Sequence, residues 1–438
     1  MSFQRDVLTT FCSRAAVLIF GVVQSVVVAR YLLPEGRGQF ATLMLVPQLM
    51  VVVAPLGMQW SLIYYLRQKG ADRRSLLQNG LGVALLLGVL ALGATLSVEY
   101  FLRDGLLAGL SLTSLLLAAL IVPVRVMLGT LVGVFRGTQR IVQANILNTV
   151  WPVAQLVAVI VALVVLARGI AGMAGAILVC ELLVVMWAGT MIFRGVAPRP
   201  RLQAKHVAPL VSYGLRVYLF SMLLFVNYRL DMALLRHFVD YTEVGYYATA
   251  VGLGEILWNV PTSLTFVLFP YVIGIADEER DRRTITLSRM TVAAMFVICL
   301  VFGIFARPIV TLLYTDAFLP AVFPLVVILP GILAMSIQQV LGSTLAARGR
   351  PERVTIAAAA GIVINLLLNL WWIPMYGAAG AAAASTISYS VVAGIVIIEF
   401  SRLSSHGLSD ILLLKVEDIQ QVVSRLRGFV REGNGDER

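Results

Sequence analysis

Eight charged side chains lie inside stretches of sequence that are otherwise apolar and long enough to cross a membrane: Arg14, Arg125, Glu181, Arg216, Arg229, Asp231, Glu255 and Arg307. A charge at membrane depth costs about 2.5–3.5 kcal/mol on insertion scales, so each needs a reason to be there. Five are arginines and three are acids. An interior that leans positive suits an anionic passenger, because a guanidinium can grip a phosphate through two parallel N–H bonds. Arg125 lies about ten residues from the nearer end of its span, roughly 15 Å along a helix and too deep to snorkel to water. It reads as a cavity residue or as half of a structural ion pair. Arg14 is shallower, with the same two readings open. Arg216 sits near the end of its span, where snorkelling is the better account, and Arg229 and Arg307 approach the opposite face. Arg216, Asn227 and Asp231 fall within about 60° of one helical face, which lines a cavity or forms a hydrogen-bonded seam between helices. Glu181 and Glu255 lie near mid-span. Each is a candidate ion-coupling site or the counter-ion of an arginine.

The elements that carry these residues follow from composition. Of 438 residues, 59% are apolar and 13% charged, against roughly 45–50% and 25% in soluble domains. This excludes a soluble enzyme and a disordered scaffold and leaves no room for a separate extramembrane domain. The expected fold is all-α and polytopic. Twelve apolar runs, each near the roughly 20 residues that a span requires, cover 7–33, 39–66, 76–98, 106–135, 141–167, 170–193, 213–238, 245–276, 290–314, 320–347, 354–375 and 378–400. With the N-terminus inside, the cytoplasmic loops hold seventeen Lys and Arg and the opposite loops four, Arg37, Arg103, Arg168 and Arg236. That asymmetry predicts both termini in the cytoplasm. It also explains the net charge of +11 without nucleic acid. The first run is too long for the core of a cleavable signal and has no small-residue cleavage site, so the first helix is expected to stay. Cys12, Cys180 and Cys299 lie in apolar runs and read as packing residues.

The chain repeats itself. Gly38-Gln39-Phe40-Ala41 recurs as Gly245-Tyr246-Tyr247-Ala248. Gly169-Ile170-Ala171-Gly172 recurs as Gly377-Ala378-Ala379-Gly380, and Arg136-Gly137 recurs as Arg348-Gly349. The order is preserved at nearly one offset, which predicts two six-helix halves, 1–205 and 206–400, with the same orientation in the membrane. Parallel repeats of this kind belong to transporters that bind substrate between the halves. A tail, 401–438, follows; from Leu408 to Val430 its apolar and basic residues alternate with helical spacing, as in a helix lying on the anionic inner leaflet. Pro47, Pro55, Pro123, Pro152 and Pro261 would bend or loosen their spans, and Gly129 and Gly133 form a GxxxG spacing that reads as a close helix contact.

Catalytic signatures are missing. The sequence has no GxxxxGK[ST] loop, GxSxG elbow or HExxH, and His206, His237 and His406 lack metal-ligand spacing. No cofactor and no enzymatic activity is expected.

Three stretches carry a family resemblance: Arg30-Tyr31-Leu32-Leu33-Pro34-Glu35-Gly36-Arg37-Gly38; Arg229-Leu230-Asp231 with Val244-Gly245-Tyr246-Tyr247 and Glu255-Ile256-Leu257-Trp258; and Arg348-Gly349-Arg350-Pro351. In these, and over about residues 5–400, the chain resembles the polysaccharide (oligosaccharide) flippases of the multidrug/oligosaccharidyl-lipid/polysaccharide exporter superfamily. The resemblance implies a two-halved transporter in the bacterial inner membrane. It would move polyprenyl-pyrophosphate-linked oligosaccharide from the cytoplasmic to the outer leaflet by alternating access, beside a polysaccharide polymerase and glycosyltransferases. Asp231 and Glu255 carry over as motif positions. A cation-coupled drug exporter of the same superfamily is the alternative, as is a membrane partner of polysaccharide assembly that transports nothing. The arginine-rich interior argues against the drug exporter.

Overall fold

A computed structural model describes residues 2–68, 72–193, 201–272, 277–404, 406–415 and 418; within these, the side chains of 2–14, 193, 217, 219–228, 263–272, 277 and 351 lie outside the description. The described residues are helical throughout, with no strand among them. The helices are α1 (Ser2–Val53), α2 (Met58–Leu66), α3 (Arg73–Leu102), α4 (Leu112–Gly137), α5 (Ile141–Ile160, continued by a π turn, Val161–Val165) and α6 (Gly169–Phe193). They continue as α7 (Ala204–Phe238), α8 (Tyr241–Val272), α9 (Asp277–Ile304), α10 (Ala306–Leu313), α11 (Val322–Ala347), α12 (Pro351–Ser404) and α13 (Leu408–Leu412). Eight described helical stretches are long and apolar enough to cross a membrane. Two of them, at 52 and 53 residues, are more than twice the roughly 20 that the hydrocarbon core accommodates.

Both long helices bend at a residue the backbone chemistry singles out. Leu33 in α1 has φ 60° and ψ 179°; Pro34 behind it disfavours the α region, and a leucine held there costs about 1–3 kcal/mol. In α12 the bend is at Gly377, with φ 54° and ψ −132°, a region open to glycine.

The structure also explains the repeats. Gly169, which pairs with Gly377 in the sequence repeat, likewise has a positive φ, 60°. Gly38 and Gly245 press against one another. A Cβ on Gly38 would enter the Tyr241 carbonyl and meet the Gly245 nitrogen, and one on Gly245 would enter the Pro34 carbonyl. Backbone demands, and not chance composition, keep glycine at these places.

Element boundaries depart from the sequence reading in several places, among them α7, which starts at Ala204 and not at 213. The run 39–66 is broken at 54–57, where Leu56 and Gly57 both take positive φ and Gly57 lies against the backbone of Gly214. The run 106–135 becomes helical only at Leu112, after a cap in which the Ser111 hydroxyl accepts from the Ser114 amide at 3.2 Å. The run 290–314 is divided into α9 and α10. The charged stretch 277–289, read as a loop, is the start of α9. There Arg280, Asp281 and Arg289 are buried, and Asp281 pairs with Arg348.

The chain forms two compact units, one made of Met1–Thr249 with Thr311–Leu319 and the other of Ala250–Val310 with Pro320–Arg438. In the first, α4 lies at the centre, packed on α1, α2, α3, α5 and α6. Its buried face runs from Leu115 and Ala118 through Ile121 and Val122 to Leu131, Val134 and Phe135. In the second, α11 packs on α9 and α12. The tail is seated there: α13 lies on α9, Ile411 is fully buried, and Arg289 donates to the Asp410 carbonyl and pairs with Asp418 at 3.2 Å. The helix expected from Leu408 to Val430 stops at Leu412, and Leu413 is extended. Asp418 is again helical; residues 416–417 and 419–430 of that stretch lie outside the described residues.

Candidate anion cavity in the first unit

Helix α4 presents Arg125, Gly129, Val132 and Arg136 at intervals of four, three and four residues, one continuous face of a helix. All four line a cavity of about 270 Å³ in the first unit, near the lower end of the range for small-ligand pockets. Opposite them α5 contributes Leu147, Asn148 and Trp151, α2 contributes Gln59 and Trp60, and α7 contributes Tyr218. The wall therefore combines two guanidinium groups, amides and aromatic rings. Guanidinium groups suit an anion, amides suit hydroxyl groups, and aromatic rings suit apolar faces.

Arg125 is held in place by Glu181 of α6. The guanidinium donates to both carboxylate oxygens, through Nε at 3.0 and 3.1 Å and through Nη2 at 2.8 Å. Trp151 Nε1 adds a bond at 3.3 Å, Gln155 Nε2 donates to the same carboxylate, and the Arg125 guanidinium lies 5.8 Å from the centre of the Trp151 ring. Glu181 is fully buried, while 16% of the Arg125 side chain remains exposed. The carboxylate is thus held by three side chains, chiefly at Oε1, and the arginine keeps one flank on the cavity. The two glycines of the GxxxG spacing separate in role. A Cβ on Gly133 would sit 2.9 Å from the backbone of Gln59, whereas one on Gly129 would meet nothing within 4 Å. Gly133 is the helix contact; Gly129 opens the cavity.

The other sequence candidates are dispersed. Arg216 is exposed and donates to Ser212 at 2.7 Å. Asp231 is buried, accepts from the Tyr247 hydroxyl and from its neighbour's amide at 2.7 Å, and does not line the cavity. Glu255 and Arg307 are exposed, and Arg229 is half-buried. The side chains of Arg14 and Asn227 lie outside the described residues. Sequence reasoning passed over Arg136, assigning it to a loop by its place at the end of a span. The signal was available: Arg136 follows Arg125 by eleven residues, about three turns, which puts both on one face. Trp151 and Gln155 carried no charge to draw notice.

Comparisons with known proteins bear on the family and the fold. Residues 27–323 match the family described as "Polysaccharide biosynthesis protein". The chain belongs to that family. A curated relative, described as the probable low-salt glycan biosynthesis flippase Agl15 of Haloferax volcanii, is 25% identical over 192 residues, 43% of this chain and 39% of the relative. The aligned part thus spans about two fifths of that relative's length. Among solved structures, the lipid II flippase MurJ in an inward closed conformation aligns with TM-score 0.72 at 15% identity, over 91% of this chain and 90% of that one. An inward-facing multidrug resistance MATE family transporter of the MOP superfamily aligns with TM-score 0.74 at 12% identity, over 89% and 94%. The fold is that of this superfamily, and the protein is a multi-pass membrane protein.

Proposed function

We propose that this member of the polysaccharide biosynthesis family is a flippase for a polyprenyl-pyrophosphate-linked oligosaccharide. It carries the headgroup from the cytoplasmic to the outer leaflet of the bacterial inner membrane by alternating access, while the polyprenyl tail stays in lipid. The observation that supports this reading most is the α4 face, where Arg125 and Arg136 flank an opening made by Gly129 and confront amide and aromatic side chains. Family membership, and the printed description of the Haloferax relative as a flippase, point the same way. The reading includes twelve spans in two halves, 1–205 and 206–400, both termini in the cytoplasm, and polymerase and glycosyltransferase partners that make and use the substrate. Within it, the Arg125–Glu181 pair has a positioning role: Glu181 fixes the guanidinium plane so that its free flank meets a phosphate oxygen, and a phosphate competes with the carboxylate for the same donors.

Deleting the gene and extracting polyprenyl-linked intermediates tests the reading. Accumulated lipid-linked repeat units, with surface polysaccharide missing and restored by complementation, are expected. No accumulation, together with new sensitivity to cationic dyes, would overturn it in favour of a drug exporter.

A further inference from the structure

Glu99, on α3, was not among the candidates read from the sequence because it falls one residue past the apolar run 76–98. Its environment is unlike that of any other acid described. The residue is 3% exposed, and neither carboxyl oxygen has a hydrogen-bond partner among the described residues. It lies on the buried stripe of α3 that also presents Gly88, Ala91 and Thr95, four residues after a threonine whose hydroxyl is committed to the Ala91 carbonyl at 2.7 Å. Gly88 packs against Pro123 of α4; counting the same rise along the two antiparallel helices brings Glu99 level with about the first turn of α4. It stands three residues before the end of α3, and the next two residues, Tyr100 and Phe101, are 74% and 82% exposed, as aromatic residues at a membrane–water boundary are.

A glutamate so near a helix end can turn outward to water at little cost. This one is turned inward, where a carboxylate without a partner is unstable and the group persists as the neutral acid. Helices α1, α2, α4 and α7 pack on α3, and none of their described charged groups is hydrogen-bonded to Glu99. On α4 they are Arg125 and Arg136, both on the cavity wall. On α1, the side chains of Arg5, Asp6 and Arg14 lie outside the described residues; of the others, Arg30 donates to the carbonyls of Leu312 and Leu313, Arg37 to Ser25, and Glu35 accepts from Gln39. Helix α2 has no charged residue, only Tyr64 and Tyr65, which cluster with Tyr213. On α7 the titratable groups are Lys205 and His206 at its start, Arg216 bonded to Ser212, and Arg229, Asp231, Arg236 and His237 towards its end. None of them donates to Glu99. A metal ion would call for several oxygen ligands, and a single unassisted carboxyl does not supply them.

We propose that Glu99 is a proton-binding site, its carboxyl gaining and losing one proton in each transport cycle. The O–H bond forms with a proton taken from water beyond the end of α3 and breaks when the proton returns to water. In the neutral state the acid is compatible with the packed stripe; in the ionised state the same side chain must reach water, which separates α3 from α4 at that end. The role in a cycle rests on the flippase reading, whereas the proton site does not.

Two measurements on the full-length protein test it. Infrared difference spectra of the protein in phospholipid vesicles, titrated across neutral pH, are expected to show the carbonyl stretch of a neutral, weakly hydrogen-bonded carboxylic acid. Glu99→Gln should remove that band and Glu255→Gln should leave it. Absence of the band from the unmodified protein, or its survival in Glu99→Gln, overturns the proposal even where export is intact. In a deletion strain complemented with either form, export of the strain's own surface glycan should change by up to about tenfold per unit of external pH for the unmodified protein, as a single-proton step allows. The change should be less than about twofold for Glu99→Gln. Equal pH profiles overturn the coupling role. Thermal melting of Glu99→Gln at the unmodified temperature shows that the variant is folded.

Discussion

Two buried carboxyl groups in the first unit share burial and almost nothing else. Glu181 is 0% exposed and Glu99 3%. Glu181 accepts from Arg125, Trp151 and Gln155, and Glu99 accepts from no described residue. Depth in a membrane protein therefore does not by itself say what an acid is for; the donors around it do. A carboxylate gripped by several donors is a fixed charge that orients its partner, while a bare carboxyl is free to change protonation without breaking any bond.

The comparison is broken most forcefully at the gripped end. Glu181→Leu leaves Arg125 without its counter-charge, and the loss should be about 3–5 kcal/mol, as for other half-removed buried pairs; a fall in melting temperature and in the amount of protein recovered from membranes checks it. The double variant Arg125→Met with Glu181→Met should recover most of that stability and still fail to export. Next comes the glycine pair of α4. Gly133→Ala forces a methyl against the Gln59 backbone and should cost about 1–3 kcal/mol, whereas Gly129→Ala, facing open space, should be neutral or gain up to about 1 kcal/mol from helix propensity. Both are read by thermal melting in detergent. Glu99→Gln, at the bare end, should change stability by less than about 1 kcal/mol.

The smallest effect lies outside the membrane. The Ser75 amide holds Asp72 below the ordinary carboxylate range, and hydrogen bonding from Lys415 does the same for Asp410. A carboxylate depressed on folding contributes stability above its unfolded pKa and loses it as pH falls through the folded value. The contribution of both should thus be constant at neutral pH and fade only below the ordinary carboxylate range. Asp72→Asn and Asp410→Asn should flatten that acid limb slightly in a melt-versus-pH series.

How much of this was legible beforehand depends on the kind of signal. Apolar runs and loop charge identify an all-α polytopic chain, because the membrane imposes one length and one composition on each span. The repeated glycines were visible too, and the backbone contacts of Gly38 with Gly245 supply their reason. Helix ends were less legible: the breaks at Leu56–Gly57 and before Leu112 depend on local caps and on Gly214 approaching from a distant helix. At the cavity, Arg125 and Glu181 stood out singly, but their pairing joins α4 to α6 across 56 residues and no spacing rule encodes it. Arg136 and Glu99 were missed for one shared reason. Each lies at the margin of an apolar run, where a charge is taken as ordinary, and only packing shows that it faces inward.

The account rests on the cavity of α4 being the place where the headgroup binds, and one substitution addresses that directly. Gly129→Phe starts from a Cβ that meets nothing within 4 Å and fills part of the cavity with its ring. Lipid-linked saccharides from cells carrying it should be compared with those from cells with the unmodified protein, at equal membrane abundance and equal melting temperature. Accumulation of the lipid-linked unit to the level of the deletion strain, from a variant that is folded and inserted, is the predicted result. Normal export from that variant would contradict the assignment of the cavity.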